Sequence, residues 1–216
     1  MARETEIKLK IEDLSAFQSA LLRIGAKDVG LGRVFEENVI FDSPERELAN
    51  KGQLLRIRTE TKQGRRGSEP GEKRFVLTFK RPTQQRKSNW DEAQKDGAYK
   101  VREEIEVEVQ EANILSKIFE GLGLKGWFRY EKYRTTYRIT ASRNWGKGLL
   151  IELDETPIGT FVELEGPPEA IDRAAQELGF SQSDYLLRNY LTLYVEQCRR
   201  SGIQPNHMVF STRESR

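Results

Sequence analysis

The chain has 216 residues, 36 of them basic and 34 acidic, so its net charge of +2 gives it no overall pull toward nucleic acid or an anionic membrane. Its 37% hydrophobic content suffices for one large domain or two small ones. A single cysteine, Cys198, excludes an internal disulfide and a multi-cysteine zinc site, and a single histidine, His207, leaves His-based triads and HExxH chemistry without residues.

The opening stretch ETEIKLK, residues 4–10, alternates charged with uncharged side chains. As a strand it puts Glu4, Glu6, Lys8 and Lys10 on one face and Thr5, Ile7, Leu9 and Ile11 on the other. Asp13 is placed to cap a helix ending at Gly25, with Leu14, Phe17, Leu21, Leu22 and Ile24 at helical spacing. Residues 33–42 (RVFEENVIFD) and 53–61 (QLLRIRTET) read as strands on either side of a turn or short helix at 44–50. Glycine, proline and charge mark 62–73 as a hairpin loop leading into the strand FVLTFK. The polar segment 82–98 is a long loop before the strand YKVREEIEVEV at 99–109. A helix suits 111–122, and strands follow at 127–141, 148–155 and 159–165, the last two joined by a turn at Pro157 and Gly159. Pro167 and Pro168 open a helix to Gly179, 183–200 forms the longest amphipathic helix, and the chain after Gly202 is expected to be loosely ordered. With no repeat of fixed period and no linker, residues 1–200 form one domain and 201–216 a polar tail.

The alternation of the first strand recurs along the chain. Arg56 and Arg58 oppose Leu55 and Ile57, and Arg102, Glu104, Glu106 and Glu108 oppose Val101, Ile105, Val107 and Val109. Lys132, Arg134 and Arg138 oppose Tyr133, Tyr137 and Ile139. Glu152 and Asp154 oppose Ile151 and Leu153, Glu163 and Glu165 oppose Val162 and Leu164, and Lys80 ends its strand opposite Phe79. A flat sheet with one wet face would account for any single strand. Strand after strand, however, gathers both signs of charge where uncharged polar residues would serve. Curling the sheet into a closed barrel with the charged side inward removes the exposed edges and creates a polar tunnel. Arginine and lysine bind phosphoryl oxygens, and clustered carboxylates hold divalent metal that bridges phosphates, so a linear polyphosphate with metal satisfies both signs.

ETEIK at 4–8 resembles the ExExK signature of the CYTH superfamily, the triphosphate tunnel metalloenzymes that include class IV adenylyl cyclases, thiamine triphosphatases and inorganic tripolyphosphatases. The resemblance continues in order through LLRIR at 54–58, LTFKRP at 77–82, REEIEVEV at 102–109, EKYRTTY at 131–137, LDE at 153–155 and GTFVELE at 159–165, and SDYLLRNYL resembles the family's C-terminal SYxxL region. It implies an α+β fold: an eight-stranded antiparallel closed tunnel with helices outside. It assigns triphosphate binding to Lys8, Arg56, Arg58, Lys80, Lys132 and Arg134, and a metal, Mg²⁺ or Mn²⁺, to Glu4, Glu6, Asp154, Glu163 and Glu165. Catalysis then falls to Glu4, Glu6, Glu163 and Glu165. Glu104 and Glu106 line the tunnel in support, either of the metal or through salt bridges to the bases. Arg188 on the last helix is expected at the surface.

The resemblance implies a metal-dependent triphosphatase acting on ATP, tripolyphosphate or thiamine triphosphate. Its alternatives are a class IV adenylyl cyclase making cyclic AMP and pyrophosphate, and a module that binds polyphosphate or nucleotide without turnover. The basic stretches RR at 65–66 and RPTQQRK at 81–87, near Trp90, are too short to outweigh the balanced charge, so no nucleic-acid partner is expected. No apolar run reaches the roughly 18 residues of a membrane span, and the N-terminus opens on charge instead of a signal-peptide hydrophobic region. A cytoplasmic protein with no membrane partner is the expectation, and the sequence leaves its oligomeric state open.

Overall fold

Alternating sequence becomes alternating burial in a closed antiparallel barrel, as a computed structural model describing residues 2–63, 71–83, 97–140 and 144–211 shows. The strands are β1 (Ala2–Ile11), β2 (Ala26–Asp42), β3 (Leu54–Lys62), β4 (Lys73–Pro82), β5 (Lys100–Val109), β6 (Lys125–Ile139), β7 (Leu150–Thr156) and β8 (Gly159–Glu165). Around the barrel they run β1-β5-β4-β3-β2-β6-β7-β8. The expected loops at 62–73 and 82–98 join β3 to β4 and β4 to β5; residues 64–70 and 84–96, with Arg65, Arg66 and Trp90, lie outside the described residues.

The apolar faces point outward, and helices α1 (Leu14–Arg23), α3 (Ala112–Gly121) and α4 (Pro168–Glu177) cover most of them, leaving Ile105 and Val107 of β5 exposed. Asp13 caps α1 as expected, its carboxylate accepting from the Ala16 amide at 2.9 Å, and Gly25 takes the chain out of the helix at φ 73°. Phe17, Ala20 and Leu21 of α1 and Ile171, Ala174 and Ala175 of α4 bury Ile7, Leu9, Ile151 and Leu164 of the barrel wall. A smaller cluster seats Phe119 of α3 on Phe41 and Ile57. The short helix α2 (Glu47–Asn50) is held by Asp42, whose carboxylate accepts from the amides of Ser43, Leu48 and Ala49 at 2.8–3.0 Å.

The stagger of β5 on β1 and the shortness of β7 beside β6 leave two gaps in the barrel wall, and the C-terminal part of the chain fills both. The β5 strand pairs only with Ala2–Glu6 of β1, so the Lys8 backbone pairs instead with Leu186, at 3.1 and 2.8 Å. The β7 strand pairs only with Tyr133–Tyr137 of β6; above it Met208 donates to the Arg129 carbonyl at 3.0 Å and accepts from the Glu131 amide at 2.9 Å. Unpaired backbone groups in a sheet are costly when covered, which is why these segments are drawn in.

Three expectations are corrected here. The last helix, α5 (Tyr190–Arg200), does not begin at 183: Gln182–Asp184 is a single 3₁₀ turn, Leu186 is committed to β1, and Asn189 caps the helix by accepting from Thr192 at 2.8 Å. The chain beyond Gly202 is not loose through residue 211, because Met208 is completely buried against the second core cluster with Phe128, Tyr130, Tyr190 and Leu193. The β2 strand also starts earlier than read, at Ala26, with a register shift between Asp28 and Arg33 that hid its first part. Among the described residues no helix is long and apolar enough to cross a membrane.

Since Met208 fills core space from the tail, Met208→Ala is expected to cost about 2–5 kcal/mol of stability. Urea unfolding reads this as a lower midpoint; an unchanged midpoint would mean the tail is not docked in solution.

Candidate functional site

The inward faces of the strands enclose a cavity of about 390 Å³ lined by eight acidic and eight basic residues. Glu4, Glu6, Lys8, Arg56, Arg58, Lys80, Glu104, Glu106, Lys132, Arg134, Glu163 and Glu165, all singled out from the sequence, line it together. Period-two alternation on a closed barrel brings them there, since each strand's charged face turns inward.

Acids and bases neutralise one another across the cavity. Lys80 reaches both Glu4 oxygens at 2.7 and 2.8 Å and Glu104 at 2.9 Å. Lys100 binds Glu6, and Lys8 binds Glu163 while its ammonium sits 4.4 Å above the Tyr190 ring. Arg56 donates to the hydroxyls of Tyr130 and Thr78, each at 3.0 Å, and stands 3.5 Å from Glu106. Arg58 lies 3.1 Å from Glu60, 3.6 Å from Glu36 and 3.7 Å from Glu106. Glu104 and Glu106 thus hold bases in place.

Arg134 binds Glu152 and Glu163 and forks onto Asp154 with two contacts of 2.6 Å. Asp154 itself differs from the other assigned acids. It is fully buried and is absent from the cavity lining, and its carboxylate also accepts from Lys132 at 3.0 Å and the Tyr190 hydroxyl at 2.7 Å. Its oxygens are engaged in anchoring two of the bases, a role the resemblance did not assign.

The balance fails at one point. Across β1, β8 and β7 the register sets Glu6 opposite Glu165 and Glu152 opposite Glu163, and like charges directly opposed repel. Burial opposes ionisation of Glu6, but Lys100, Lys8 and Lys80 outweigh it and hold that carboxyl down at about 2. Glu165 makes no ion pair among the described residues; burial, with Glu152 and Glu4 nearby, pushes its carboxyl up to about 8. Oxygen donors crowded beyond the available bases fit a hard divalent cation such as Mg²⁺ or Mn²⁺. As the side chains stand, no three acids among the described residues converge on one point that would hold such an ion.

Sequence reasoning missed several participants. Glu36 and Asn38 lie inside the barrel, 2% and 1% exposed, and the FEEN alternation carried that signal. Glu36 faces Arg58, Lys132 and Arg134 at 3.4–3.8 Å. Lys100 sits two residues before Arg102 on the same inward face, so strict alternation would have found it. Tyr130 and Tyr190 carried no signal, because an aromatic residue on a strand or helix reads as core. Arg188 pairs with Glu196 at the surface, as expected.

The family described as CYTH domain matches residues 2–190. A candidate adenylate cyclase of Methanocaldococcus jannaschii is 28% identical over 195 residues, which span 88% of this chain and 97% of that protein. Among solved structures, a Pyrococcus horikoshii protein is similar at a TM-score of 0.66 and 26% identity, over 90% of this chain and 99% of that one. A candidate adenylate cyclase of Vibrio parahaemolyticus shares the fold at a TM-score of 0.66 and 18% identity, over 87% of this chain and 94% of that one. With all eight strands and every charged residue of the cavity lining inside the matched residues, the chain belongs to the CYTH domain family.

Proposed function

We propose that the protein is a divalent-metal-dependent triphosphatase whose substrate lies in the charged cavity. The observation that carries this reading is the eight-to-eight lining of one cavity by bases and acids. A triphosphate alone would leave the acids repelling it, and a metal alone would leave the bases without partners.

Glu4, Glu6, Glu163 and Glu165 would hold Mg²⁺ or Mn²⁺, which supplies neutralisation of phosphate charge and polarisation of the phosphorus centre. Asp154 is left out of that set because its oxygens already serve Arg134, Lys132 and Tyr190. Lys8, Lys80, Arg56, Arg58, Lys132 and Arg134 exchange their carboxylate partners for phosphoryl oxygens. Hydrolysis adds water to the terminal phosphorus as its bond to the bridging oxygen breaks, and the guanidinium groups take up the charge that spreads over the transferring group.

A cyclase reading is favoured by one observation, the description of the M. jannaschii relative, which this chain matches over nearly its full length. In that reaction the ribose 3′-hydroxyl of ATP attacks the α-phosphorus and pyrophosphate leaves. Both reactions use the same bases and differ in which phosphorus is placed for attack.

Glu165→Gln tests the acid cluster with little structural cost, because Glu165 supports no ion pair among the described residues. The expected result is loss of most metal-dependent tripolyphosphate turnover with an unchanged melting temperature; full activity at all Mg²⁺ concentrations would remove Glu165 from the site. Arg58→Ala should weaken tripolyphosphate by roughly ten- to a hundredfold, the worth of one charge-assisted contact at about 1.5–3 kcal/mol. Calorimetric titration with Ca²⁺ in place of Mg²⁺ reads this, and equal affinities would mean that Arg58 does not meet the ligand.

A further inference from the structure

Part of the outer wall is neither charged nor covered. Ten large apolar side chains are exposed among the described residues, and five of them, Ile105, Val107, Ile114, Ile118 and Leu122, stand 45–71% exposed on β5, on α3 and on the residue that caps α3. Apolar residues scattered singly over a surface need no explanation, whereas a contiguous group does.

The five are joined through the sheet. Ile105 and Val107 alternate with Glu104 and Glu106, which turn into the cavity, so they face outward. Across the ladder Ile105 lies opposite Phe79 and Val107 opposite Leu77, both half-buried. Leu77 in turn packs against the cluster that seats α3. On α3 the core takes Ala112, Leu115 and Phe119, while Ile114, Ile118 and Leu122 recur four residues apart as a second stripe beside it. A floor of two strands and a helical ridge thus form one apolar face, and none of its residues lines the cavity.

The size and rim of this face suit a second copy of itself. The five side chains expose on the order of 500 Å². A stable dimer buries roughly 800 Å² per partner, about two-thirds of it apolar when the partners are identical, so the face supplies the apolar part of one such side. Around it the charge is mixed: Lys117 with Glu111 and Glu120 at α3, and the Arg81–Glu103 ion pair at 2.7 Å on the sheet. A two-fold contact sets a patch against itself, so a rim of one sign would repel, whereas a rim of both signs can pair. A nucleic acid or an anionic membrane would instead call for a basic rim.

We propose that this face is the interface between two copies of the chain. The Ile114–Ile118–Leu122 ridge of each copy rests on the floor of Leu77, Phe79, Ile105 and Val107 of the other. The contact lies on the outer wall and leaves both cavity linings untouched.

Sedimentation equilibrium over a dilution series in the micromolar range tests this, and wild type should give twice the 25.0 kDa mass of the chain. Ile118→Glu and, separately, Val107→Glu should each raise the dissociation constant roughly thirtyfold or more, the scale of one interface hot spot. Circular dichroism checks that each variant keeps its fold, and the wild-type mass tests the proposal without any variant. Leu22→Glu, at an exposed position on α1, is the control and should dimerise like wild type. A monomeric wild type would overturn the proposal and leave the face to a different protein or to another segment of this chain. Dimers that survive both substitutions, or that Leu22→Glu breaks instead, would put the contact elsewhere and overturn it as well.

Discussion

Mutual neutralisation of acids and bases inside a closed barrel is the constraint on which the rest of this structure depends. A single ionised side chain in such an interior would be strongly disfavoured, and removing one partner of a buried pair typically costs about 3–5 kcal/mol. The barrel avoids that cost by spreading pairs across strands. Arg134 alone meets acids from β7 and β8, and Glu36 on β2 meets bases from β3 and β6. Nearly all of these pairs cross between strands, so barrel closure and charge balance support each other. A slip of register by one residue would turn the charges out and the apolar faces in.

Under the proposed function, the same balance suits the cavity to a ligand of mixed charge. Under the proposed reading, Lys80 would exchange Glu4 and Glu104 for a phosphate while those acids turn to a cation, so neither charge is left without a partner. Asp154 is held differently, covered inside the barrel by Lys132, Arg134 and Tyr190. It anchors two bases, Lys132 and Arg134, through its own oxygens. Tyr190 links this anchor to α5, and Tyr130 links Arg56 to the segment of β6 where Met208 docks. The C-terminal part of the chain is therefore joined to the site through two aromatic hydroxyls.

Much of this was legible in the sequence because strand alternation has a period of two and charge is unambiguous. Twelve charged residues read as facing one tunnel do line one cavity. What escaped reading depends on tertiary pairing. Leu186 and Met208 fill gaps that exist only because β5 is staggered against β1 and β7 is shorter than β6. Asp154 alternates with the other acids, yet Lys132, Arg134 and Tyr190 take up its oxygens, a convergence from β6 and α5 that no local pattern records. Trp127 faces the cavity through a skipped residue in the β2–β6 ladder, which breaks the very period on which the reading relied. Glu36, Asn38 and Lys100, by contrast, obeyed the period and could have been found by applying it to every residue of their strands.

The most direct test of the central claim is product analysis after incubation of ATP with the protein and Mg²⁺, by phosphorus NMR. The account predicts orthophosphate and ADP, formed only when metal is supplied. Pyrophosphate with cyclic AMP, or undiminished turnover with all divalent metal removed, would contradict it.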